Sequence, residues 1–329
     1  MKILLAQPGK LNTVPMSRFV REALVGLGHE VIDFNLSSSW HDKLRDRLIG
    51  QPVHSYLNRK FLRTVEATRP DLMLTVFGFD LSIDTLDRLK RMRIPRACWW
   101  LNDPFQFPRS LAKASHYDFM FSNSMGSIDD YHAAGIQHAY WLPTACAPEV
   151  HRRVPVAQEY RCEVCFAGDW SPLRQALCET LAQHFDLKIF CPWLKKLPAD
   201  SPLRSHVHHG FFTPESMATM FSSADIVFNL HSWYGKYDHG TNQRLFEEAG
   251  CGACQVVDWK RDIYELFEVG RDVAVYRTQP ELISLVRELL SDSDMRNIMG
   301  ENAKQHAYEK HTYDARMRVL IEKVVGCVY

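Results

Sequence analysis

Residues 163–174 read Glu163-Val164-Cys165-Phe166-Ala167-Gly168-Asp169-Trp170-Ser171-Pro172-Leu173-Arg174. The run from Glu163 to Ala167 has the length and apolar content of a strand, and Gly168 breaks it with a turn. Ser171 is a good helix N-cap, and Pro172 suits the first helical position. Strand, glycine turn and helix start in that order form the unit from which a helix-covered parallel sheet is built.

Outward from this unit the same alternation runs along the chain. Before it, strands are expected at 2–7, 30–34, 72–77, 96–101, 119–122 and 139–142, with helices such as 16–27, 83–92 and 127–134 between them. After it, further strands are expected at 187–190, 226–230, 254–257 and 273–276. From 143 to 160 the pattern gives way to Pro, Ala, Arg and Glu without periodicity, which reads as a linker. A length of 329 residues also favours two domains. The expected fold class is therefore α/β, with two Rossmann-like domains over 1–150 and 151–310 facing each other across a cleft. A final helix, 311–329, carries Met317, Leu320, Ile321, Val324 and Val325 at helical spacing, so one stripe must be buried. Packing on its own domain and crossing back to the first domain both satisfy that requirement.

Charge is balanced, with 39 Lys and Arg against 39 Asp and Glu, so nothing in the composition calls for a nucleic-acid partner. The apolar run Met1 to Gln7 ends at Pro8-Gly9 and is too short for a signal peptide or a membrane span, so a cytoplasmic location is expected. Nine cysteines without a secretory signal are expected to be reduced. Cys162 with Cys165 and Cys251 with Cys254 have Cys-x-x-Cys spacing, but the pairs are much too far apart for a zinc ribbon and overlap strand-like runs. No metal site is expected.

Ligands of doubly wound sheets sit beyond the carboxyl ends of the strands. At 166–174, Gly168 admits a ligand to the backbone, the helix start offers N–H groups to phosphate, and Arg174 adds a cation. Asp169 counts against a diphosphate there unless it faces away. A denser constellation follows at Asn229-Leu230-His231 and at 240–252, Gly240-Thr241-Asn242-Gln243-Arg244-Leu245-Phe246-Glu247-Glu248-Ala249-Gly250-Cys251-Gly252. Arg244 and Glu247 are three apart and share a helical face. Such a pair suits a nucleoside diphosphate sugar, the guanidinium on phosphate oxygens and the carboxylate on ribose hydroxyls. A plain surface ion pair is the competing reading.

Between Trp40 and Arg69, seven cations (Lys43, Arg45, Arg47, Arg59, Lys60, Arg63 and Arg69) outnumber Asp42, Asp46 and Glu66, with Trp40, Leu48, Tyr56 and Phe61 interleaved. A solvated helix face is the preferred reading over a membrane surface or an anionic acceptor.

From about Phe166 to Arg316 the chain resembles the CgeB-like, or spore-maturation-type, glycosyltransferase family. The likeness rests on the glycine turn with Arg174, Asn229-x-His231, Gly240-x-Asn242-x-Arg244-x-Phe246-Glu247, Cys251-Gly252, and His311-Thr312-Tyr313 with Arg316. Pro70-Asp71-Leu72, Gly78 and Trp99-Trp100-Leu101-Asn102-Asp103-Pro104 extend it more loosely into the first half. The resemblance implies a GT-B fold, a first domain on the acceptor side, and a donor bound mainly by the second domain through Gly168, Arg174, His231, Gly240, Asn242, Arg244 and Glu247. In related enzymes the strand end at Phe190-Cys191-Pro192-Trp193 seats the nucleotide base, which adds Phe190 and Pro192. Retaining enzymes of the class have two glutamates with seven residues between them. Glu247 matches the second and keeps the ribose role, but His239 stands in the place of the first, so the resemblance leaves the stereochemical outcome open.

Asp103 follows the strand ending at Leu101 and is the first choice for the base of an inverting transfer, with capping before Pro104 as its plain role. The expected activity is transfer of a sugar from a nucleoside diphosphate sugar, the co-substrate, to an unidentified acceptor. It requires no metal or other cofactor, because Arg174, Arg244 and helix N-termini neutralise the leaving diphosphate. A GT-B-shaped sugar-nucleotide epimerase and a non-catalytic nucleotide-sugar-binding partner are the alternatives.

Overall fold

A computed structural model describes residues 1–8, 15–37, 39–50, 52 and 54–328 of the chain. The expected turn at Pro8-Gly9 lies outside the described residues at Gly9. Two compact units are formed, one by Met1–Pro143 with Tyr313–Tyr329 and the other by Thr144–Thr312.

In the first unit the elements run β1 (Lys2–Gln7), α1 (Met16–Gly26), β2 (Glu30–Asn35), α2 (Trp40–Leu48), α3 (Ser55–Thr68), β3 (Leu72–Val76), α4 (Ile83–Arg91), β4 (Arg96–Trp100), α5 (Phe107–Ala114), β5 (Phe119–Ser122), α6 (Met125–Ala133) and β6 (Ala139–Trp141). All six strands are parallel, in the order β2-β1-β3-β4-β5-β6. β3 and β4 are buried at every position, which is why they read as unbroken runs and not as alternations. Trp99 and Trp100 lie in this core, where a fully buried large apolar side chain contributes roughly 1.5–3 kcal/mol. The Trp99 indole is satisfied by donating to the Leu142 carbonyl at 2.8 Å.

In the second unit the order is β7 (Cys162–Phe166), α7 (Pro172–Ala182), β8 (Leu187–Phe190), β9 (Val207–His208), α8 (Pro214–Ser223), β10 (Ala224–Asn229), α9 (Arg244–Gly250), β11 (Gln255–Asp258), β12 (Ala274–Tyr276), α10 (Gln279–Ser291) and α11 (Ser293–Lys310). This sheet is also parallel, ordered β12-β11-β10-β7-β8-β9. Ser171 Oγ accepts from the Arg174 N–H at 3.2 Å with Pro172 at the first helical position, so α7 starts where the sequence places it. The two-residue β9 has no counterpart in the sequence reading, since it is too short for a period to show.

The aperiodic stretch after Pro143 packs within the second unit. The Cys146 N–H donates to the His311 carbonyl at 2.9 Å, and the Tyr308 hydroxyl to that of His151 at 2.9 Å. The last helix, α12 (Tyr313–Val328), belongs to the first unit and packs along α1. Met317, Leu320 and Val324 form its buried stripe, Tyr313 stacks obliquely on Phe19 at 5.2 Å, and Arg316 Nε donates to the Pro143 carbonyl at 2.9 Å. Of the two placements that the sequence leaves open, the helix therefore takes the crossing back to the first domain.

Candidate functional site

In an open doubly wound sheet the ligand crevice lies where the strand order reverses, outside the carboxyl ends of the strands. In the second unit that point falls between β7 and β10, which are neighbours in the sheet although α7, β8, β9 and α8 separate them in sequence. The glycine turn after β7 and the Asn229-Leu230-His231 segment after β10 are thus brought side by side. Arginines from two helices tie them together. Arg174, in the first turn of α7, donates to the carbonyls of Asp169 at 2.9 Å and Leu230 at 2.8 Å. Arg244, at the start of α9, donates from Nε to the Ala167 carbonyl at 3.3 Å.

The two arginines differ in what they have left to offer. Arg174 has two backbone carbonyls as partners and leans over the Phe166 ring at 5.6 Å, and burial works against its charge, offset in part by Asp169. It acts as a strut of the turn. Arg244 is paired with Glu247 on the same helical face, as the spacing requires, and its side chain keeps 23% exposure while that of Glu247 keeps 3%. The arginine therefore presents a cationic edge above a sheltered carboxylate. Glu247 also lies 3.8 Å from His151 Nε2. The following residue, Glu248, is buried with Oε2 lacking a hydrogen-bond partner. Burial pushes its carboxyl well above the usual range, an effect that Arg244 opposes and Glu247 adds to.

His231 is fully buried, and the reason is Asp258 at the end of β11. That carboxylate accepts from the His231 backbone N–H at 2.7 Å and lies 2.7 Å from Nδ1. Its other oxygen accepts from Lys260 Nζ at 2.7 Å. Burial alone would raise the Asp258 carboxyl, but His231 and Lys260 outweigh it and hold it below its ordinary value. The bond to Asp258 assigns the ring proton to Nδ1 and leaves Nε2 without a partner. Beside it, Asn242 Nδ2 donates to Asn229 Oδ1 at 2.8 Å, and Asn242 Oδ1 accepts from the Leu245 N–H at 3.1 Å. Asn242 therefore joins β10 to the first turn of α9. Gly240 has φ of +78°, a conformation that favours glycine, and its N–H donates to Asp262 at 2.8 Å.

At Gly168 a Cβ would stand 2.9 Å from the Phe166 ring, so the packing of that ring requires the glycine. The Gly168 carbonyl accepts from the Trp193 indole at 2.8 Å. Phe190 departs from the expectation of a stacking surface. Its ring is 2% exposed and packs against Tyr160, His208 and Phe212, so the apolar core has claimed it. Pro192 is half-buried at the adjoining loop and leaves backbone contacts as what this strand end has to offer a base.

Asp103 lies in the first unit with no exposed surface. Its carboxylate accepts from Ser110 Oγ at 2.9 Å, Ser122 Oγ at 2.8 Å and the Tyr131 hydroxyl at 2.9 Å, and Asn123 brackets its backbone. Burial pushes the carboxyl up to about 6 in spite of those three donors. A carboxylate enclosed in this way organises the loop between β4 and α5 and has no face from which to take a proton from an acceptor.

Sequence reasoning missed Asp258 and Lys260, the buried charges that fix His231. Their signal was available, since a polar residue closing an apolar run marks the strand end at 258 just as Asn229 marks β10. The tripeptide Asp292-Ser293-Asp294 has the Asp-x-Asp form found in some metal sites, but Asp292 caps α11, accepting from the Met295 N–H at 2.9 Å. Cys162, Cys165 and Cys251 share one apolar cluster and Cys254 lies in another. Among the described residues, no three His, Cys, Asp or Glu side chains converge to hold a metal ion. No helix among them is long and apolar enough to cross a membrane.

Residues 173–322 match the family model described as glycosyl transferase-like. No curated protein matches the sequence. The fold is shared with sucrose-phosphate synthase from Thermosynechococcus elongatus (TM-score 0.71, 11% identity, 98% of this chain and 99% of that one). It is shared equally with Anabaena HepE, solved in complex with UDP-glucose (TM-score 0.71, 14% identity, 99% and 100%). The UDP-GlcNAc 2-epimerase from Neisseria meningitidis, bound to UDP-GlcNAc, is also similar (TM-score 0.60, 10% identity, 99% and 100%). At such identities the likeness establishes the fold, two Rossmann-like domains of the GT-B class.

Proposed function

We propose that the protein is a glycosyltransferase that moves a sugar from a nucleoside diphosphate sugar to an acceptor. The observation that carries this reading is the convergence at the β7–β10 switch point. There a glycine turn, a helix start and the half-buried Arg244 stand together, with the Glu247 carboxylate sheltered beneath the guanidinium. In that arrangement Arg244 neutralises the diphosphate, in the ground state and as it leaves, while Glu247 accepts from ribose hydroxyls. Arg174 keeps the turn and the β10 end in register for the phosphates. Neutralisation by fixed cations and helix N–H groups serves a transfer without a metal ion. Binding of UDP-glucose by HepE, which has this fold, supports a donor of the same class.

A thermal-shift panel of UDP, GDP, dTDP and ADP sugars tests the reading. A true donor at a hundred times its dissociation constant stabilises the protein by about 2.7 kcal/mol. Stabilisation by none of the four classes, with and without magnesium, would remove the nucleotide-sugar reading altogether. The epimerase alternative has the same fold, and it is separated by incubating the protein with donor alone. An epimerised nucleotide sugar in that mixture excludes the transferase; donor turnover that needs an added acceptor supports it.

A further inference from the structure

The helix α2 is amphipathic in the wrong sense for a water-soluble surface. Its inward residue is Asp46, whose side chain is 1% exposed and accepts from the Tyr56 N–H at 3.2 and 3.3 Å, with the Arg59 guanidinium 3.9 Å away. Arg45 lies 3.4 Å over the Tyr56 ring, a second tie to α3. With its polar side fastened inward, the helix turns its apolar stripe to solvent. Trp40 is 69% exposed, Leu44 37% and Leu48 77%, at spacings of four that align them on one face, and Ile49 beyond the last turn is 57% exposed. A buried stripe is what such spacing ordinarily produces.

Basic residues flank the stripe, and one of its edges is cationic. At 100° per residue, Lys43 and Arg47 run along one edge and His41 and Arg45 along the other, and each of these four side chains is exposed. The carboxylate of Asp46 is turned away and offset by Arg59, so it does not cancel these charges. We infer that α2 is a docking surface for an anionic lipid bilayer, with Trp40, Leu44 and Leu48 entering the headgroup boundary and Lys43 and Arg47 meeting lipid phosphates. A bilayer suits these features better than a protein groove does. The stripe is narrow and continuous, it begins with a tryptophan, an interface-seeking residue, and the cations Lys43 and Arg47 lie beside it. The sequence pattern alone favours a solvated face, and the exposed stripe is what changes that reading.

The test is co-sedimentation of the full-length protein with vesicles. Vesicles of phosphatidylcholine and phosphatidylglycerol in equal parts should bind it at low salt, and vesicles of phosphatidylcholine alone much more weakly. High salt should reverse the binding. Trp40→Ser with Leu48→Ser should weaken it by at least about tenfold. Arg47→Ser should weaken it roughly fivefold, the weight of one cation near an anionic surface. These residues are exposed, so circular dichroism and the unfolding midpoint should match the parent. If the double variant does unfold, Leu48→Ser alone carries the same test at smaller size. Failure of the parent to bind anionic vesicles, or equal binding by the variants, overturns the proposal. So does concentration-dependent self-association that the double variant abolishes, which would make the stripe an interface between two copies.

Discussion

Two aspartates, Asp103 after β4 and Asp258 at the end of β11, occupy comparable places at the carboxyl edges of the two sheets, and neither has any exposed surface. Their surroundings are opposite in kind. Asp103 is held by three hydroxyls, and burial pushes it up to about 6. Asp258 is held by the His231 imidazole and the Lys260 ammonium, and it stays below its ordinary value although burial works against it. One is a neutral-partner cage that completes a loop. The other is a charge network whose histidine keeps an unpartnered Nε2 next to the candidate donor crevice. A buried polar group is therefore not a mark of function by itself. What separates the two places is whether the network around it closes or leaves an atom still to be satisfied.

The largest expected effect breaks the second network and not the first. Asp258→Ala leaves the Lys260 ammonium, 2% exposed, with no counter-charge, and removal of one partner from such a pair costs about 3–5 kcal/mol. Asp103→Ala leaves only hydroxyls, one of which, Ser110, also donates to the Phe107 carbonyl, so about 1–3 kcal/mol is expected. Urea unfolding of both variants measures the difference. Equal losses would mean that the charge network has no special standing.

Titration separates the same pair. The Asp103 carboxyl has its folded value raised from 3.8 to about 6, so between those limits the native state holds a proton that the unfolded chain has released. Stability must therefore fall as pH rises through that window, by about 3 kcal/mol for a change of this size. Asp103→Asn does not ionise and should lose that part of the fall. For Asp258 the sign is reversed, because its folded value is depressed. Its contribution is present above 3.8 and is lost only as pH drops through the lower folded value. Unfolding free energies of parent and Asp103→Asn from pH 4 to 7 check the first statement, and parallel curves would refute it.

The alternation of strands and helices, the two parallel sheets and the start of α7 were legible because each rests on local pattern: apolar runs, a glycine stop, a serine cap. The strand order of the second sheet was not. No residue in 162–258 announces that β7 and β10 become neighbours, and so the partners that fix Arg174, Arg244 and His231 could not be read. Asp103 shows the same limit from the other side. Its place at a strand end was foreseen, but its enclosure by Ser110, Ser122 and Tyr131 depends on β5, α5 and α6 folding over it.

Arg244→Ala tests the open edge of the second region. Loss of charge-assisted hydrogen bonds worth about 1.5–3 kcal/mol should weaken nucleoside diphosphate binding by roughly 10- to 150-fold, with much less change for the bare nucleoside. Glu247→Ala should instead weaken both ligands by similar factors. Calorimetric titration of each variant with each ligand gives four numbers. Parent-like affinity in all four would reduce the pair to a structural contact and move the donor site elsewhere.

The smallest expected effect compares two serines with the same local chemistry. Ser82 Oγ accepts from the Thr85 N–H at 3.2 Å at the start of α4, and Ser171 Oγ accepts from the Arg174 N–H at 3.2 Å at the start of α7. Replacing either by alanine removes one cap and should cost about 1 kcal/mol, so the two variants should be alike in urea. They should differ in binding. The start of α7 carries the turn that Arg174 ties to Leu230, and loosening it disturbs the N–H groups and the strut on the phosphate side of the crevice. Ser171→Ala should thus weaken nucleoside diphosphate binding by a few-fold, and Ser82→Ala should leave it at the parent value. Equal affinities in the two variants would mean that α7 is an ordinary helix of the second sheet, and the phosphates would have to be sought at Arg244 alone.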